Sequence, residues 1–281
     1  MRSLSRQNII KIIIVTFLFI GIFVPTFINL AGRFIAADSY YSHGFLVPLI
    51  SAYLVWRKRK KLKSLPIESS QAGLFILLGG LLLHIISSLL KINFGSSLAL
   101  LIVLEGMILY LFGRKINRQL LFPLVFLIFM IPLPKVIIIG ISFKMKLLAA
   151  QIASNLVNQI GISAIREGST VYLSNGKLVV GDPCSGLRSL ISLLALGAIF
   201  TQLTTGTNLR KNVLFLSTIP IALASNALRI VALLWVTYVY GEKVALGFFH
   251  DFSGMMVFVF AFSGLVLMTR ILKCRLAREV I

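Results

Sequence analysis

Several uninterrupted apolar stretches, each long enough to cross lipid, constrain this chain before any other feature. A bilayer core about 30 Å thick needs roughly 20 apolar residues in helical form. Within it every backbone polar group must find its partner inside the helix. With 58% of its 281 residues hydrophobic, the chain meets that demand repeatedly. The pattern predicts an all-α polytopic membrane protein with about eight transmembrane helices, over residues 9–31, 42–56, 72–91, 95–112, 120–134, 184–203, 213–240 and 252–270. With no internal repeat or low-complexity stretch, residues 1–281 read as a single membrane domain. The first span starts basic like a signal peptide. Phe23, Pro25 and Phe27 occupy the place of a small-residue cleavage site, so it reads as an anchor. The second span is short and is expected to tilt or to begin near Tyr40.

Charge sets the orientation. The net charge of +20 comes from 28 basic and 8 acidic residues. In a soluble protein it would point to nucleic acid. Here the basic residues cluster between apolar runs, as in cytoplasmic loops, which argues against a nucleic-acid partner and for the lipid bilayer. Arg57–Lys63, Arg114, Lys115, Arg118, Arg210 and Lys211 mark inner loops, and both termini are basic. Both termini are therefore expected in the cytoplasm of a multi-pass protein of the inner (plasma) membrane. Residues 135–183 form the one long extracytoplasmic segment. Its first half, 136–160, mixes apolar residues with Lys144, Lys146, Gln151, Asn155, Asn158 and Gln159, the pattern expected of an amphipathic helix lying along the interface. Its second half reads as a β-hairpin, Thr170–Leu173 and Lys177–Val180 about Asn175-Gly176.

Three costly side chains recur at one predicted depth. Cys184 follows Asp182-Pro183, a favoured N-cap and first helical residue, so the thiol is expected in the first turn of the sixth span. There the helix dipole would lower its pKa. Gly186 leaves room beside it for a substrate backbone. The other cysteine, Cys274, falls in the basic tail on the opposite side, out of disulfide reach. Arg229 lies within the seventh span, where an arginine costs roughly 2.5–3.5 kcal/mol, and Asn226 precedes it by one turn. His250 opens the eighth span beside Asp251. Each has a bland reading as well: a packing cysteine, a snorkelling arginine, an interfacial histidine. Together they assemble a nucleophile, an oxyanion donor and a general base for acyl transfer. Asn226 or Asp251 would orient Arg229 or His250. Arg188 would contact a substrate carboxylate or anchor its helix. His43 would line the site or cap the second span, and His84 and Glu105 within the membrane would pair.

The motifs Tyr41–Ile50, Arg166-Glu167-Gly168, Cys184-Ser185-Gly186-Leu187-Arg188, Asn226–Arg229 and His250–Gly254, in this order and spacing, resemble the exosortase/archaeosortase family. Histidine at position 250 makes the chain similar to the bacterial branch. The resemblance implies a membrane cysteine transpeptidase with Cys184, Arg229 and His250 as catalytic residues. Asn226, Asp251, Arg188, Ser185 and Gly186 would support them, and no metal or organic cofactor is expected. Its partners would be membrane-anchored proteins whose C-terminal sorting signal joins a Pro-Glu-Pro motif, a helix and a basic tail. They would be cut at the periplasmic face, often in connection with exopolysaccharide production. The competing class is a non-enzymic component of polysaccharide export that uses Arg229 and His250 to bind substrate. A thiol–disulfide oxidoreductase lacks a neighbouring second cysteine, and three scattered histidines lack metalloprotease spacing.

Overall fold

The structure is a computed structural model describing residues 6–36, 39–181 and 184–276. The chain separates into two compact units, Met1–Pro134 and Lys135–Ile281.

The first unit holds α1 (Arg6–Ile35), α2 (Leu46–Arg57), α3 (Arg59–Ser64), α4 (Gln71–Leu89), α5 (Asn93–Phe112) and α6 (Arg114–Phe126). Helices α4 and α5 form a close antiparallel pair, because glycines let their backbones touch. A Cβ on Gly73 would lie 2.8 Å from the Gly106 carbonyl oxygen, and one on Gly106 would lie 3.0 Å from that of Gly73. Short α2 pairs with α6. Ser51 Oγ donates to the Pro123 carbonyl (2.8 Å), Lys58 Nζ donates to that of Gln119 (2.5 Å), and Leu133 N–H donates to Tyr41 Oη (3.1 Å). The predicted second and fifth spans therefore run antiparallel over the same depth. Each is a short α-helix extended by a 3-10 turn, Ser42–Phe45 before α2 and Leu127–Met130 after α6.

The expected His84–Glu105 pair does not form. The His84 ring packs 4.3 Å from that of Phe23, while Glu105 accepts from Asn117 Nδ2 at 2.5 Å. An amide one helix on binds the carboxylate, and the imidazole lies against an aromatic ring instead. His43 stacks on Tyr41 and hydrogen-bonds the Phe129 backbone.

The second unit begins with α7 (Lys135–Gln159), followed by β1 (Ala164–Glu167), β2 (Thr170–Leu173) and β3 (Gly176–Val179). Then come α8 (Leu187–Leu203), β4 (Thr204–Thr205), α9 (Asn208–Tyr240), α10 (Glu242–Leu246), α11 (Phe248–Ile271) and β5 (Arg275–Leu276). The predicted hairpin is present, with Thr170 opposite Val179 and Leu173 opposite Gly176, which puts the turn at Ser174-Asn175, one residue early. Asn175 Nδ2 donates to the Tyr238 carbonyl at 2.6 Å and ties the hairpin tip to the end of α9. Strand β1 joins the hairpin as a third, unpredicted strand through Arg166↔Val171 and its neighbours. Val171, Leu178 and Val180 from the sheet pack with Ala150, Ala153 and Val157 of α7 and with Ile230, Leu233 and Leu234 of α9. Cys184 belongs to this same apolar cluster.

Among the described residues six helices are long and apolar enough to cross a membrane: Ile10–Ile35, Gln71–Leu89, Asn93–Phe112, Lys135–Gln159, Asn208–Tyr240 and Phe248–Ile271. Leu187–Leu203 is apolar but shorter. Many large apolar side chains on them face outward, such as Phe17, Phe75, Leu89 and Val136. Lipid tolerates that exposure and water does not. The count differs from the expected eight at α2, α6 and α8, which are short, and at α7. The segment read as a surface helix is a 25-residue helix with the length and apolarity of a span. Its outward side interleaves Ile139, Phe143 and Ile152 with Lys144, Gln151 and Asn155, in place of the segregated polar face of a surface-lying helix.

Candidate functional site

Asp182 and Pro183, read as N-cap and first helical residue, lie outside the described residues. The helix itself begins at Leu187, so Cys184 precedes α8 instead of occupying its first turn. Cys184 N–H donates to the Gly181 carbonyl (3.0 Å), and Leu190 N–H donates to that of Gly186 (2.9 Å). Between them the chain turns at Gly186, whose φ of +80° is strained for any residue with a Cβ. A Cβ there would also meet Asn226 Cγ at 2.7 Å. Ser185, fully buried, accepts the Leu187 N–H at 3.3 Å and steadies the entry into α8.

Asn226 does something other than orient Arg229 or His250. Its Nδ2 donates to the Cys184 carbonyl at 3.0 Å from a position 2% exposed. The amide thus clamps the Cys184 backbone from the neighbouring helix.

Around the thiol the three predicted groups meet. Cys184 Sγ lies 3.1 Å from His250 Nε2, and Arg229 Nη2 lies 3.3 Å from the same nitrogen. They come from the loop before α8, from the middle of α9 and from the first turn of α11. The antiparallel sequence α8–α9–α11 returns to one end, and small or polar residues (Ser225, Ala227, Ser253, Ala261) allow close packing. His250 Nδ1 is 3.3 Å from Asp251 Oδ1, the orienting contact anticipated for that carboxylate. The tautomer with its proton on Nδ1 satisfies Asp251 and leaves Nε2 as an acceptor toward both the thiol and Arg229. Burial pushes the Cys184 thiol pKa up, and the Arg229 charge draws it back down. The expected lowering by a helix N-terminus is overturned in direction, because the thiol is buried in an apolar cluster and lies outside the helix.

Ser253 is a member of the site that sequence reasoning missed. Its Oγ accepts from Arg229 Nε (3.1 Å) and donates to the His250 carbonyl (2.9 Å), to which Arg229 Nη2 also donates (3.2 Å). A serine beside a charged residue at helical spacing was the available clue. Arg188 is half-buried on the first turn of α8, and its Nε has no hydrogen-bond partner among the described residues. Cys274 lies beside Gly206, beyond the far end of α8. Seventeen helical residues, about 25 Å, separate it from the Cys184 end, and both cysteines are free. Among the described residues no group of three or more His, Cys, Asp or Glu side chains is placed to hold a metal ion.

Fold and site together define a polytopic helical membrane protein with a partly buried thiol–imidazole–guanidinium cluster at one end of three helices. The transmembrane exosortase family model matches residues 35–267, so the chain belongs to that family. No curated protein and no solved structure matches it.

Proposed function

We propose that this protein is a membrane cysteine peptidase or transpeptidase that cleaves C-terminal sorting signals of the Pro-Glu-Pro type on exported proteins. Cleavage would take place at the outer face of the inner membrane, within one membrane domain of about eight spans. The observation that carries the reading is the 3.1 Å approach of Cys184 Sγ to His250 Nε2, with Arg229 beside both.

His250 Nε2 takes the thiol proton, and the thiolate attacks the scissile carbonyl carbon. Arg229 stabilises the tetrahedral oxyanion through donors already fixed toward the site, the largest contribution in many acyl transfers. The intermediate collapses to a thioester on Cys184 as the protonated imidazole hands its proton to the leaving amine. Water or an acceptor amine then attacks the thioester, regenerating the thiol. Asn226 and Gly186 hold the nucleophile's backbone, Ser185 steadies the turn, Asp251 keeps His250 in the required tautomer, and Arg188 offers a cation to a substrate carboxylate. A cavity of about 760 Å³ beyond the end of α9, lined by Tyr240, Gly241, Glu242, Lys243, Leu246 and Gly247, supports access at this end. The His250 N–H donates to Gly247 on its wall. A substrate anchored by its own helix is confined to the same membrane, which raises its effective concentration.

Trapping tests the reading. A tagged sorting-signal substrate incubated with the protein should yield a hydroxylamine-sensitive thioester adduct that maps to Cys184. Processing should fall more than about a thousandfold in Cys184→Ala. Retention of function in that variant would instead fit a polysaccharide-export component in which the cysteine is incidental.

A further inference from the structure

Serine in a membrane helix ordinarily returns its hydroxyl to a carbonyl one turn back and does nothing more. Thr269 does this on α11, donating to Leu265 at 2.7 Å. It sits on the same buried i, i+4 stripe as Ser253, Val257, Ala261 and Leu265. Ser253 keeps that bond and adds a second contact to it. Its single proton is committed to the His250 carbonyl, which turns its lone pairs toward Arg229 Nε. The guanidinium is planar, and one anchor leaves it free to swing. Two anchors on α11, Ser253 Oγ at Nε and the His250 carbonyl at Nη2, fix both its plane and its direction.

From this geometry we infer that Ser253 is a positioning residue that aims the Arg229 guanidinium at the Cys184–His250 pair. The inference rests on the catalytic reading above and adds a residue to it. Ser253 is 8% exposed and sits in the packed seam between α9 and α11, so it acts through Arg229. The groups facing the thiol are His250 from α11, joined to Asp251, and Arg229 and Asn226 from α9. Arg188 follows on α8, and the α7 and sheet residues clustered with Cys184 are apolar. Arg229 is the cation that offsets the burial of the thiol, so loosening it should be legible in thiol reactivity as well as in turnover.

The test uses the full chain, purified in detergent with Cys274→Ser, so that iodoacetamide reports Cys184 alone. In Ser253→Ala, turnover of the tagged substrate should fall about tenfold to a hundredfold, the range for losing a charge-assisted hydrogen bond. The alkylation-versus-pH profile should move up by roughly one pH unit. Ser253→Thr, which keeps the hydroxyl, should restore both. In an Arg229→Ala background the Ser253→Ala change should produce no further profile shift, since the two act in series. An unmoved profile in Ser253→Ala, or a shift of full size without Arg229, overturns the inference. Failure of the catalytic reading looks different: Cys184→Ala would keep its turnover, while the alkylation series would still report whether Ser253 acts through Arg229.

Discussion

At Cys184 two effects oppose each other: burial favours the neutral thiol, and the Arg229 guanidinium favours the thiolate. Removing Arg229 leaves burial alone, so in Arg229→Ala the pH dependence of Cys184 alkylation should move to higher pH, with slower reaction at neutral pH. Arg229→Lys should recover part of that shift and little of the turnover, since an ammonium cannot keep two directed anchors. Gly186 tests backbone geometry apart from charge. Gly186→Ala meets both a positive φ and Asn226, and should cost about 1–3 kcal/mol, read as a lower midpoint in thermal unfolding. The three main candidates were legible in the sequence because a thiol, a guanidinium and an imidazole are costly or reactive at membrane depth. The partner of Asn226 was not, because helical spacing says which face a residue occupies and nothing about the chain that crosses it. Ser253 was hidden for a related reason: a serine on a helix stripe looks the same whether it packs or holds an arginine.

Among the elements, the small sheet carries a clear energetic contrast. Leu178 is 2% exposed beneath the sheet, whereas Tyr172 is 41% exposed. Leu178→Ala should destabilise the protein by about 2–4 kcal/mol, and Tyr172→Ala by less than about 1 kcal/mol, in the same unfolding measurement. Alternation and an Asn-Gly pair made the hairpin readable. Strand β1 escaped because four residues with Arg166 and Glu167 in their midst look like loop until a partner edge is present. The buried face of α7 was not legible for a comparable reason. Its lysines and amides suggested a polar face, but it buries Ser142, Ala149, Ala150, Ala153 and Ser154 together with Met145 and Val157. Small residues, more than large apolar ones, mark a helix contact in a membrane protein.

At the scale of the whole molecule, orientation is the property most open to test. Arg210 at the start of α9 and Lys243 just past its end are both exposed, and the helix between them spans 33 residues. In a cysteine-free background, a membrane-impermeant maleimide should label Lys243→Cys in intact spheroplasts, and Arg210→Cys only after lysis. The reverse pattern would turn the Cys184 end toward the cytoplasm. The sequence by itself determined that the chain is a helical membrane protein, and which residue types were too expensive to be idle. Hydrophobic length and the cost of burying charge are local quantities, summed along the chain. Only the tertiary structure decided that Cys184 stands ahead of its helix, that Asn226 grips its carbonyl and that Ser253 holds Arg229. Those contacts join residues 42 and 24 positions apart, and their distances depend on how closely small residues let three helices pack.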